Sequence, residues 1–291
     1  MTPNFQPINN NNFPTYKSIS KKRNFWFILA NEKTQELILN YKDIEPLLND
    51  IYKYSINYIH ETENKAIVLS NKDKILIIPY TTRFNNAYIK RKRKLFRKLS
   101  YRLKNVIGRH TFLTITYDPK NITSLMDMRY SFTRNLTKFL DLLKKKYHYL
   151  GIIKTYEFTK SGLIHAHILI LNVPHINKEW LTKTLKLCNL GRIKKIKEFK
   201  GISESSLNYF FKYFSKSFNS LDYLIKRNDN LALSWALNLR TYTFSILLYR
   251  LLESYKTSTE KKGFIYEGIY EDKGVYGFIS ATDFYQLYGA G

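Results

Sequence analysis

Residues 157–167 read Glu157-Phe158-Thr159-Lys160-Ser161-Gly162-Leu163-Ile164-His165-Ala166-His167. Strand-like runs flank them, Tyr149 to Phe158 and Leu163 to Leu171. Lys160-Ser161-Gly162 suits a three-residue hairpin connection, whose last position prefers the left-handed region and hence glycine. That connection sets Thr159 opposite Leu163, Phe158 opposite Ile164 and Glu157 opposite His165. Opposed residues share a face of the sheet, and so do residues two apart on one strand. Glu157, His165 and His167 therefore belong to one face, where a carboxylate and two imidazoles can bind a divalent ion, with water or a phosphate oxygen completing the shell. A loop of two residues would turn Glu157 to the other face and remove it from the set.

Working outward, Phe112-Leu113-Thr114-Ile115-Thr116-Tyr117 is a strand that stops at Asp118-Pro119. Leu125, Met128, Phe132, Leu136, Phe139, Leu140 and Leu143 then recur at helical spacing. After the hairpin come a helix near 178–187, a strand near 192–199 and a helix near 203–217. The order β-α-β-β-α-β-α is a split βαβ of the ferredoxin-like or RRM-like kind. The expected class is α+β, with helices on one face and the other face open to a ligand.

The last of these helices carries Tyr209-Phe210-Phe211-Lys212-Tyr213-Phe214-Ser215-Lys216. Tyr209 and Tyr213 are four apart, and Lys212 and Lys216 each follow a tyrosine by three, so all can address one side of a helix. A phenol with its ordinary pKa near 10 is a weak nucleophile at neutral pH. A lysine beside it favours phenolate, or neutralises charge developing on a phosphorane. Spacing does not choose between the two tyrosines. Tyr209 is preferred, because Phe210, Phe211 and Phe214 can anchor the helix while its phenol points out.

The 291 residues hold 48 Lys and Arg against 23 Asp and Glu, a formal net charge of +25 with pI near 9.8. An AT-rich coding bias would raise lysine but also acidic residues, so the excess points to a polyanionic partner, nucleic acid before membrane. Its densest part is Lys90, Arg91, Lys92, Arg93, Lys94, Arg97 and Lys98, with no acid from Lys90 to Arg109. Together with Arg192, Lys194 and Lys195 it is expected to contact phosphates without sequence preference. The single cysteine, Cys188, excludes an internal disulfide framework and a cysteine-rich zinc ribbon. Neither the run Phe25 to Ala30 nor Leu231 to Leu252, broken by Arg240 and Arg250, suits a signal peptide or a membrane span.

The expected organisation is a disordered tail (1–20), an N-terminal region ending in the basic segment (21–105), the split βαβ domain (106–220) and a helical C-terminal extension (221–291). Within 21–105 a helix is expected from Asp43 to Tyr58, and a hairpin from Ala66–Leu69 and Ile75–Ile78 around Asn71-Lys72-Asp73.

Three motifs, in this order, resemble those of the HUH endonucleases, specifically the rolling-circle replication initiators of plasmids and single-stranded DNA phages. They are the strand Phe112 to Tyr117, His165-Ala166-His167 with Glu157, and Tyr209 to Lys216. The resemblance covers about residues 110–218, and Arg240-Thr241-Tyr242-Thr243-Phe244-Ser245 is faintly similar to a downstream initiator segment. Conjugative relaxases place the tyrosine before the histidines, which is not the order here. No Gly-x-x-x-x-Gly-Lys-Ser/Thr occurs, so the helicase half of some viral initiators is missing.

The resemblance implies Mg²⁺ or Mn²⁺ held by His165, His167 and Glu157, and nicking of single-stranded DNA or an origin hairpin by Tyr209 or Tyr213. A 5′-phosphotyrosyl link and a free 3′-hydroxyl would result, with host polymerase and helicase as partners. It also implies the cytoplasm of a host cell, or an organelle where the replicon is an organellar plasmid. Two other readings fit the same residues: a transposase of the same superfamily, and a nonenzymatic nucleic-acid-binding module.

Overall fold

The computed structural model describes residues 24–38, 44–71, 74–103, 109–118, 120, 122–148, 151–173, 175–200, 227–245, 248, 265–271, 273, 277–279 and 286. The expected tail (1–20) and the tyrosine helix near 203–217 lie outside the described residues. Fifteen elements follow in chain order: α1 (Phe25–Lys33), α2 (Glu45–Glu63), β1 (Lys65–Asn71), β2 (Lys74–Pro79), α3 (Asn86–Leu103), β3 (Arg109–Thr116), α4 (Leu125–Tyr147), β4 (Gly151–Phe158), β5 (Ile164–Leu171), α5 (Lys178–Leu187), β6 (Ile193–Lys200), α6 (Asp229–Ala236), β7 (Tyr242–Phe244), β8 (Ile265–Glu271) and β9 (Gly277–Ile279). No helix among the described residues is long and apolar enough to cross a membrane.

The chain divides into two compact units, one of Met1–Phe25, Asn57–Thr82 and Lys256–Gly291, the other of Trp26–Ile56 and Arg83–Tyr255. The smaller unit contains a sheet of order β8-β1-β2-β9. The expected hairpin is β1–β2, antiparallel with Asn71 opposite Lys74. Its outer neighbours come from the far end of the chain: β8 pairs β1 and β9 pairs β2, both antiparallel. The region after residue 221 is therefore not a helical extension throughout. Apolar alternation in β1 and β2 (Ala66, Val68; Ile75, Ile77) buries one face of each strand, and this small sheet needs the two C-terminal strands to complete it.

The larger unit is built on an antiparallel sheet of order β6-β3-β5-β4-β7. Leaving β7 aside, this is the strand order of a split βαβ: β3 and β4, joined through α4, are separated by β5. The α+β class expected from the sequence is the one observed. Helix α4 starts at Ser124, whose hydroxyl accepts from the Asp127 amide at 3.1 Å, and Asp127 adds a carboxylate to the first turn where the helix dipole favours it. All seven apolar residues of its expected stripe, Leu125 to Leu143, are buried. Phe132 meets Tyr117 and Tyr156 edge-on. Tyr156 stands opposite Ala166, and Ala166 opposite Ile115, so α4 covers the face that carries alanine between the two histidines. His165 and His167 point away from it.

The histidine face is not wholly open, which corrects the expectation of helices on one face only. Helix α3 lies on it. Ile89, Phe96, Leu99 and Leu103 recur at helical spacing and join Phe112, Ile153, Leu169, Leu171 and Leu248 in one buried cluster. The basic run is thus the outer side of an amphipathic helix whose inner side is core: Lys90, Arg91, Arg93, Lys94 and Arg97 are exposed. Burying an aliphatic or phenyl side chain contributes about 1.5–3 kcal/mol, so the four inner residues fix α3 firmly over one end of the sheet.

At the β7 side, β7 pairs with β4 over Ile153–Thr155. Beyond it the Tyr156 amide donates to the Thr241 carbonyl at 3.0 Å. The Phe158 amide donates to the side-chain oxygen of Asn230 on α6.

Candidate active site

The hairpin forms as its turn chemistry requires. Gly162 has φ +72°, and a side chain there would also press on Ile44. The Gly162 amide donates to the Thr159 carbonyl and the Thr159 amide to the Leu163 carbonyl, both at 2.9 Å. Phe158 pairs with Ile164 and Glu157 with His165. Glu157, His165 and His167 therefore share one face, as the register demands.

Contact joins two of the three. His167 Nε2 lies 3.0 Å from Glu157 Oε2. His165 is set apart, its ring centroid 6.4 Å from that of His167 with the planes at 52°. Among the described residues, no three His, Cys, Asp or Glu side chains are grouped closely enough to hold an ion between them.

Each imidazole is steered from β3. Thr114 pairs with His167 and Thr116 with His165. The Thr114 hydroxyl is 3.1 Å from His167 Nδ1 and that of Thr116 is 2.6 Å from His165 Nδ1. Both contacts sit on Nδ1, which leaves Nε2 as the atom aimed along the open face. Phe112 adds a platform, stacking on the His167 ring at 6.0 Å and 17°. With His167 only 3% exposed and the Glu157 side chain 17%, the pair is screened from bulk water, and its electrostatic contact is stronger than it would be on an open surface.

The two threonines are functional candidates not singled out from the sequence. Their signal is there: Thr114-Ile115-Thr116 alternates in step with His165-Ala166-His167, so an antiparallel pairing in this register sets hydroxyl against imidazole twice. Gly191 is another. A Cβ on it would lie 2.1 Å from the Thr116 carbonyl oxygen, so only glycine lets the chain entering β6 pass beside the Thr116 support.

The donor set matches a divalent ion in kind: two neutral nitrogens and a carboxylate on one face. Mixed imidazole and carboxylate donors suit Mn²⁺ better than Mg²⁺, which prefers oxygen and water. The 3.0 Å between His167 Nε2 and Glu157 Oε2 is close to the spacing of two adjacent ligands at roughly 2.1 Å from one ion.

Of the expected DNA contacts, Arg192 and Lys195 are exposed, and Lys195 stands opposite Thr114 on the sheet. The side chains of Lys98 and Lys194 lie outside the described ones. Lys92 does not join the exposed stripe. It turns inward, its Nζ 2.5 Å from the Tyr242 hydroxyl and 5.0 Å from the ring centres of Tyr88 and Tyr242. Burial, reinforced by the Arg91 charge, pulls its pKa below the usual lysine range. Tyr209, Lys212, Tyr213 and Lys216 lie outside the described residues.

No curated protein and no solved structure matches this chain. Residues 110–218 match the replication-associated protein ORF2 family. That segment runs from β3 through both histidines and on past Tyr209 and Tyr213, and its match supports a role in the initiation of replication.

Proposed function

We propose that this protein is a rolling-circle replication initiator of the HUH type, which nicks single-stranded origin DNA through a tyrosine. The observation that carries the reading is the His167–Glu157 contact, with both imidazoles steered by Thr114 and Thr116, inside the segment similar to replication-associated proteins.

His165, His167 and Glu157 would hold Mg²⁺ or Mn²⁺. When bound, such an ion supplies Lewis-acid polarisation of the scissile phosphate. Thr114 and Thr116 hold the rings by Nδ1 so that Nε2 faces the ligand, the usual task of outer-shell partners. The phenolate oxygen of Tyr209 or Tyr213 attacks phosphorus in line. The bond to the 3′-oxygen breaks, the 3′-oxygen leaves as hydroxyl after taking a proton, and the 5′-phosphate stays on the tyrosine. Lys212 and Lys216 stabilise phenolate before attack and phosphorane charge during it. The exposed cations of α3 hold the backbone on either side of the cut, without reading bases.

The test uses end-labelled single-stranded DNA from the flanking replicon with Mn²⁺, resolved on a denaturing gel. Wild type is expected to give a cut strand and a covalent protein–DNA adduct. Tyr209→Phe with Tyr213→Phe is expected to bring both below detection while retaining binding; cleavage by the double variant overturns the tyrosine mechanism. His167→Ala should lower cleavage by at least 100-fold, and chelator should abolish it, whereas undiminished cleavage in chelator rules out the metal. A protein that binds the strand but never forms an adduct is a binding module.

A further inference from the structure

Next to the candidate active site, on the same face of the sheet, is a cavity of about 320 Å³ lined by Arg83, Tyr88, Lys92, Arg240, Tyr242 and Phe244, with Leu231, Thr241 and Thr243. We propose that this cavity receives one unstacked nucleotide of single-stranded DNA, its base against Tyr88 and Tyr242 and its phosphate on Arg240 and Lys92.

Three observations lead there. The first is charge. Among the described residues, three cations line the cavity and no carboxylate does. Lys92 is half-buried between two phenol rings, held by the Tyr242 hydroxyl. A desolvated ammonium is costly without an anion beside it, and the Arg240 side chain, exposed at the rim, adds to the same field. Arg83 is fixed in place, its Nη1 donating to the Ser234 hydroxyl at 3.1 Å and the Leu239 carbonyl at 3.2 Å.

The second is shape and wall chemistry. A volume near 320 Å³ is at the low end of small-molecule sites, roughly 300–1,000 Å³, so one nucleoside fits and a duplex does not. Aromatic faces beside cations are the pairing that single-strand binders use, because every base has a π-face and every linkage a charge.

The third is placement. Tyr242 stands opposite Thr155 and Thr155 opposite His167, so the cavity wall is two strands from the candidate metal pair, about 10 Å at the usual strand spacing. A strand whose phosphate meets His167 and Glu157 runs past this cavity within a few nucleotides. The groove on α4 around Asp127, Tyr130 and Arg134 lacks this convergence: it is shallow and carries an acid.

The inference shares single-stranded DNA with the proposed function but does not need the cut, so its test runs in chelator and reads binding alone. Oligonucleotides carrying one abasic residue, walked along the strand, are titrated against the full chain by fluorescence anisotropy. In wild type, one abasic position is expected to weaken binding about ten-fold, the size of one lost base–aromatic stack. In Tyr88→Leu, which keeps apolar bulk, that position should cost nothing further. Arg240→Ala, at an exposed residue, should weaken every oligonucleotide and flatten the salt dependence by about one phosphate contact. A flat abasic profile in wild type, or an undiminished abasic penalty in Tyr88→Leu, overturns the base pocket. So does competition by inorganic phosphate or by free dTMP as strong as that of an oligonucleotide, which would make it a site for a small anion or a free nucleotide. Nicking with a flat abasic profile removes this pocket and leaves the tyrosine mechanism standing.

Discussion

Strand β5 places His165, His167, Leu169 and Leu171 in sequence along one face, and the two halves of that row meet different fates. Leu169 and Leu171 lie under α3 with Phe112 and Ile153. His165 and His167 meet hydroxyls from β3 and a carboxylate from β4. The backbone is the same strand with the same pairing, so the difference is made by side chains alone. Apolar residues recruit an amphipathic helix that closes half the face, and polar ones keep the other half from being covered. A site on a sheet needs both: a rigid platform at one end and access at the other.

The seam between the halves is Phe112, buried under α3 and stacked on His167. Phe112→Ala should break the comparison most strongly, costing about 3–5 kcal/mol in urea unfolding and leaving the His167 ring without its platform. A loss under about 1 kcal/mol, far below the usual cost of such a truncation, would mean that α3 does not depend on this seam. Gly191→Ala comes next. Its Cβ would collide with the Thr116 carbonyl, so an overpacking cost of about 1–3 kcal/mol is expected, together with reduced cleavage because the His165 support shifts. Stability and cleavage both at wild-type level would show that the chain into β6 can move aside.

Thr114→Val is the finest probe. It keeps shape, removes the hydroxyl beside His167 Nδ1, and should change stability by no more than about 1 kcal/mol. Metal-dependent cleavage should still fall about ten-fold, as for other outer-shell partners. Equal losses in stability and cleavage would instead make Thr114 a packing residue.

Much of this geometry was legible in the sequence because it is local. The glycine ending Lys160-Ser161-Gly162 sets the turn, the turn sets the register, and the register places Glu157 beside the histidine strand. The stripe of α4 was equally readable from its 3.6-residue period. What sequence periodicity could not supply was pairing across long separations. Nothing local in Arg109–Thr116 says which strand it meets, so the threonine supports went unseen although their alternation is plain. The basic segment read as a charged helix side, but its inner residues Ile89, Phe96, Leu99 and Leu103 did not announce that they close half of the histidine face. Strands β8 and β9 join β1 and β2 from nearly two hundred residues away, a partnership that no window along the chain contains. Tyr209 and Tyr213 rest on motif order and on the matched segment, since they fall outside the described residues.

The two borders of the larger sheet are guarded by different means. At one, the amides of β4 beyond the short β7 are taken up by a loop carbonyl and by the Asn230 side chain. At the other, β6 presents a lysine-rich strand with Lys195 and Lys197 exposed, and charge of one sign repels a second copy. Neither margin invites another β-strand, so copies of this domain crowded onto one stretch of DNA do not zip together through their sheets, and any self-association has to be made by helices or loops.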